Sequence, residues 1–95
     1  MKTINCKRAL TSLNGEELSD GTSKVTVGGV IASILSTEKV EGVDPLKAYS
    51  LALRLYDGGM VELDESDIKK LVTAVEGTQK WIPLVTGQIL MELDK

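Results

Sequence analysis

The sequence predicts a mostly helical α+β domain, in which a short N-terminal β-hairpin packs on a bundle of about four helices with the 44–57 helix central. Three observations carry that expectation. Thr26, Asp44 and Asp64 each stand where a helix N-cap belongs, and apolar residues at helical spacing follow each one. The first 25 residues instead show the alternation and the turn dipeptides of β structure. The length of 95 residues and the 42% hydrophobic share suit a single domain over 1–95, with a β-hairpin region at 1–25 and a helical region at 26–95.

In the N-terminal region, Ile4 and Cys6 alternate with Thr3, Asn5 and Lys7, the period of a half-buried strand. Asn14-Gly15, between Leu13 and Leu18, is the dipeptide of a type I′ hairpin turn, and Asp20-Gly21 is a second turn candidate. Thr26 then opens a helix whose Val27, Val30, Ile31, Ile34 and Leu35 form one apolar stripe. The other side of that helix, Gly28, Gly29, Ala32, Ser33 and Ser36, is small and uncharged throughout. Either another element crosses close over these residues and needs the room, or a partner docks there.

The second helix starts with Asp44 as N-cap and Pro45 at the first helical position. Leu46, Ala48, Tyr49, Leu51, Ala52, Leu53, Leu55 and Tyr56 cover most of its circumference, leaving Lys47, Ser50, Arg54 and Asp57 as one narrow polar stripe. A helix apolar on most sides needs cover on most sides, which places it at the centre of the bundle. Gly58 and Gly59 close it. Met60 to Leu63 reads as a short extended link. Asp64 caps the third helix, with Asp67 at its N3 position, Ile68, Leu71, Val72 and Val75 as its stripe, and Gly77 at its end. Pro83 fits the first turn of a fourth helix running to about Leu93.

Composition narrows the chemistry. There is no histidine, one cysteine, and no glycine-rich loop with the lysine of a phosphate site. Glu62, Asp64, Glu65 and Asp67 are the densest charged group, and hard cations want several oxygen ligands, but their spacing is not that of a calcium loop. A helix N-terminus attracts carboxylates without any metal, and Glu65–Lys69 and Asp67–Lys70 are at pairing distance along a helix. No metal, cofactor or catalytic residue is therefore expected. Cys6 reads as a buried structural thiol, and Tyr49 and Tyr56 as core residues with the hydroxyl at an edge. A net charge of −3, two tyrosines, one tryptophan and only a small basic patch at Lys2, Lys7 and Arg8 argue against a nucleic-acid partner. No apolar run reaches the ~20 residues that span a bilayer, and the start of the chain lacks a secretory apolar segment. The expectation is a cytoplasmic protein without membrane contact.

The segments Asp44-Pro45-Leu46-Lys47-Ala48-Tyr49, Val61-Glu62-Leu63-Asp64 and Leu84-Val85-Thr86-Gly87-Gln88-Ile89-Leu90 occur in an order that resembles small uncharacterised proteins encoded by tailed bacteriophages and prophages. Leu13-Asn14-Gly15 and Thr26-Val27-Gly28 fit the same pattern. That family carries no assigned activity or functional residues. The resemblance implies an accessory protein acting inside a bacterial cell by binding a host or virion protein.

The functional expectation is accordingly a non-enzymatic protein-interaction module that modulates a host process such as defence or transcription. The alternative is a virion assembly component or assembly chaperone of the head or tail, a role to which homo-oligomers belong. A metal-dependent enzyme ranks third. The candidate partner surface is Gly28, Gly29, Ala32, Ser33 and Ser36, with Trp81 as a second anchor because a lone tryptophan often serves as one.

Overall fold

The computed structural model describes residues 2–20, 23–38, 40, 42–56 and 58–94. In chain order the elements are β1 (Lys2–Asn5), β2 (Ser19–Asp20), β3 (Ser23–Lys24), α1 (Val27–Thr37), α2 (Pro45–Tyr56), β4 (Met60–Leu63), α3 (Glu65–Gly77) and α4 (Pro83–Leu93). The protein is α+β and mostly helical, with four helices among the described residues and an antiparallel two-stranded hairpin, β2–β3, in its N-terminal region.

All three expected caps form. Thr26 Oγ1 accepts from Gly29 N at 3.1 Å, Asp44 Oδ1 from Lys47 N at 2.9 Å, and Asp64 Oδ1 from Asp67 N at 2.8 Å. At the start of α1, Val27 N donates to Arg8 O (3.0 Å) and Gly28 N to Cys6 O (2.9 Å). The amides that a helix start leaves without internal partners are thus taken up one after another. These bonds draw the segment after β1 directly onto α1. A Cβ on Gly28 would stand 2.4 Å from Leu55 O and 2.7 Å from Cys6 Cβ, so only glycine lets α1, the end of α2 and that segment meet.

The strand β1 pairs with β4, antiparallel, in the register Lys2↔Leu63 to Asn5↔Met60. The segment Met60–Leu63, expected as a mere link, is therefore a strand, and buried Ile4 and Leu63 point to the core side of the pair. The Asn14-Gly15 turn is present but is not type I′. That type needs a positive φ at both central residues, whereas Gly15 has φ +91° and no described non-glycine residue has a positive φ. The Asn14 side chain explains this, because Oδ1 accepts from Glu16 N at 3.1 Å and from the Ser12 hydroxyl. A single bridge, Thr11↔Glu17, flanks the turn in place of a ladder. Gly21 of the second turn lies outside the described residues, as does Asp57.

The centre of the core is α1, not the 44–57 helix. Seven of the eleven α1 residues are buried, against four of the twelve in α2, namely Ala48, Leu51, Ala52 and Leu55. Packed between α2 and α3, with the N-terminal segment over its first turn, α1 has cover on several sides. The helix α2 has cover on one. Its Leu46, Tyr49, Leu53 and Tyr56 are 75%, 58%, 57% and 73% exposed, so the two tyrosines are surface residues rather than core. An apolar side chain can be buried, but nothing in its chemistry guarantees that something will cover it.

The N-terminal segment is also bound to α4. Lys2 Nζ donates to Leu93 O (3.0 Å), Asn5 N to Glu92 Oε2 (3.1 Å), and the Arg8 guanidinium pairs with Glu92 Oε1 (3.0 Å). Gln88 takes both main-chain groups of Thr11, accepting from its N at 3.0 Å and donating to its O at 2.7 Å. Two of the three cations of the N-terminal basic patch are thereby engaged inside the fold.

Candidate interaction surface

The side of α1 made of small residues is divided by the fold. Gly28 is buried in the crossing with Leu55 and Cys6, which removes it from any partner surface. Gly29, Ala32, Ser33 and Ser36 instead form the floor of an open groove of about 370 Å³. Its wall is Tyr49, Ala52, Leu53 and Tyr56 of α2. A close helix pair built on small residues leaves a recess, and the large side chains beside it stand proud as a ridge.

The groove is neutral as well as apolar. None of its lining residues carries a charge. The Ser36 hydroxyl donates to Ala32 O at 2.7 Å, so its polarity is satisfied within the helix. The nearest cations of α2 turn elsewhere: Lys47 pairs with buried Asp67 at 3.1 Å, and the Arg54 guanidinium donates to Glu62 O at 2.9 Å. Asp67 therefore has Lys47 as its partner rather than Lys70, and the bond ties α2 to α3.

Trp81 is half-buried against the core, with its indole N–H buried and without a partner. It borders a second recess, of about 270 Å³, with Val25, Thr26 and Val30. That recess shares Gly29 and Ser33 with the first groove, so the two flank the same strip of α1. The sequence-based candidates other than Gly28 are thus neighbours on one face.

Sequence reasoning missed Leu46, Tyr49, Leu53 and Tyr56. They lie along one strip of α2 at spacings of three, four and three residues, beside Ala52 and turned away from buried Leu51 and Leu55, but their residue types do not separate them from that buried set.

The acidic residues at the start of α3 and Cys6 have structural partners, face solvent or are buried. Asp64 serves as a cap and Asp67 as an ion-pair partner, while Glu62 and Glu65 are exposed. Among the described residues, no group of three histidine, cysteine, aspartate or glutamate side chains could hold a metal ion. Cys6 is 2% exposed. Burial, with the Glu92 carboxylate adding to it, pushes its thiol up to about 11, which leaves almost no thiolate near neutrality. Among the described residues, no helix is long and apolar enough to cross a membrane.

Compared with protein-family models, curated proteins and solved structures, the chain matches none.

Proposed function

We propose that this chain is a non-enzymatic protein-interaction module whose contact surface is the α1–α2 groove. The observation that carries the reading is the row Leu46, Tyr49, Leu53 and Tyr56, each more than half exposed, of which Tyr49, Leu53 and Tyr56 wall the neutral floor of α1. Scattered exposed apolar residues are ordinary, but a contiguous patch marks a binding surface. Tyrosine is also a favoured contact residue, since it brings a large apolar ring with a polar tip. The phage resemblance extends the reading to an accessory protein that works inside a bacterial cell by contact with other proteins.

The test places a photo-crosslinking amino acid at Leu53 and, as a control, at exposed Leu13, which lies in the Asn14-Gly15 turn. Irradiation in bacterial lysate is expected to give discrete protein adducts from position 53 and not from position 13. Equal labelling from both sites, or none from either, counts against the surface. A host protein in the adduct points to a modulator, and a virion protein in infected cells points to assembly.

A further inference from the structure

We infer that the α1–α2 groove is the interface of an antiparallel homodimer, in which α2 of one copy runs along α2 of the other and closes the groove. The inference rests on the reading of this face as a protein-contact surface and names its occupant. Four features of the face point to a second copy of the chain.

The first is spacing. Leu46, Tyr49, Leu53 and Tyr56 fall within roughly 80° of one another at 3.6 residues per turn, and their 3-4-3 spacing is that of a seam between two helices.

The second is the symmetry of that seam. The four positions are arranged evenly about Leu51, so an antiparallel second copy sets Leu46 against Tyr56 of the other chain and Tyr49 against Leu53 of the other chain. Every contact then matches a leucine with a tyrosine. A parallel copy would set each tyrosine on its own equivalent.

The third is relief. A two-fold interface uses the same patch twice, so the patch must be complementary to itself. Ridge and recess lie side by side here, Tyr49, Leu53 and Tyr56 next to Gly29, Ala32 and Ser36.

The fourth is charge. The chain is acidic overall, yet the lining of the groove carries no charge, so two copies meet there without repulsion and without desolvating an ion. A partner with charged contact residues would find no counter-charge in the lining. The size is also adequate. The four side chains are 57–75% exposed, so with the groove floor they can bury about 500–600 Å² per partner, the range of a weak dimer that forms as concentration rises.

The experiment is sedimentation equilibrium of the purified chain from micromolar to millimolar concentration, alone and as Leu53→Asp. A monomer–dimer equilibrium is expected, weakened about 30-fold or more by the substitution, as for an interface hot spot. Leu53 is exposed, so the far-UV spectrum of the variant should be unchanged, and Tyr49→Lys replaces it if helicity falls. Register is read by mixing Tyr49→Cys with Leu53→Cys under mild oxidation. The mixed disulfide is expected in excess over the two like disulfides, with buried Cys6 taking no part. A monomer throughout the range, a dimer indifferent to both charged substitutions, or an excess of like disulfides overturns the inference. A monomer that still gives foreign adducts from position 53 overturns the homodimer and leaves the contact surface standing. A monomer that gives no adducts removes both.

Discussion

Gly28 and Gly87 are both helical glycines, and the space around their missing Cβ atoms dictates opposite outcomes. At Gly28 the added carbon meets the backbone of Leu55 and the Cβ of Cys6, neither of which can rotate away. Gly28→Ala should therefore cost about 3 kcal/mol, the upper end for overpacking a tight contact. At Gly87 nothing lies within 4 Å, and the position is exposed on α4. Gly87→Ala should stabilise by up to about 1 kcal/mol through helix propensity alone. Urea midpoints of the two variants, moving in opposite directions from the parent, check both. Cys6 sets a pH dependence. Around pH 9 the thiol of the unfolded chain is half-ionised, while the folded chain holds its proton to about 11. The folded state then binds more protons, so stability falls as pH rises through that window, by up to about 1.4 kcal/mol per pH unit. Cys6→Ala should show a shallower decline between pH 9 and 11 in the same denaturation series, and equal slopes would count against the burial argument.

At the scale of elements, α2 is the helix whose two sides differ most. Leu55 is fully buried and Leu53 is 57% exposed, two residues further back on the same helix. Leu55→Ala is expected to cost about 2–5 kcal/mol, and Leu53→Ala about 0.5 kcal/mol or less in the monomer, read from denaturation at dilute protein. Similar losses at both positions would restore α2 to the middle of the molecule. This helix also marks where the sequence stopped being legible. Helix starts at Thr26, Asp44 and Asp64 could be read because a cap is a local bond between a side chain and an amide three residues on. The end at Leu93 followed from Pro83 and from the apolar residues Val85, Ile89, Leu90 and Leu93 at helical spacing after it. Burial of α2 could not be read, because its eight apolar residues state a capacity and the covering elements decide its use. The pairing of β1 with β4 was hidden for a related reason. Turn dipeptides announce neighbours in sequence, whereas Ile4 and Val61 pair although both α1 and α2 lie between them in the chain. The site was half legible: the small residues of α1 stood out by size, but the ridge beside them did not separate from the core residues of its own helix.

For the whole molecule, the segment from Lys2 to Thr11 is the common partner. It supplies β1 to β4, the carbonyls of Cys6 and Arg8 to the first amides of α1, and Asn5, Arg8 and Thr11 to α4. α1 is bound in turn to α2 and α3. Every helix is thus linked to this segment directly or through α1, α3 through α1 and α4 alike. Unfolding should then be a single cooperative transition. Trp81 is the one tryptophan and lies between α3 and α4, whereas far-UV dichroism weighs all four helices. Their urea curves should superimpose at protein concentrations that keep the chain monomeric. Gln88→Ala is the sharper test, because it removes both bonds to the part-buried main chain of Thr11 without touching α1 or α2. Leaving that N–H and C=O without partners should cost about 1–3 kcal/mol. If the N-terminal segment couples the whole chain, both probes shift together by that amount and the urea dependence stays unchanged. A tryptophan signal that moves ahead of the helical signal would instead show α4 to be a separable attachment, with α1 and α2 standing on their own.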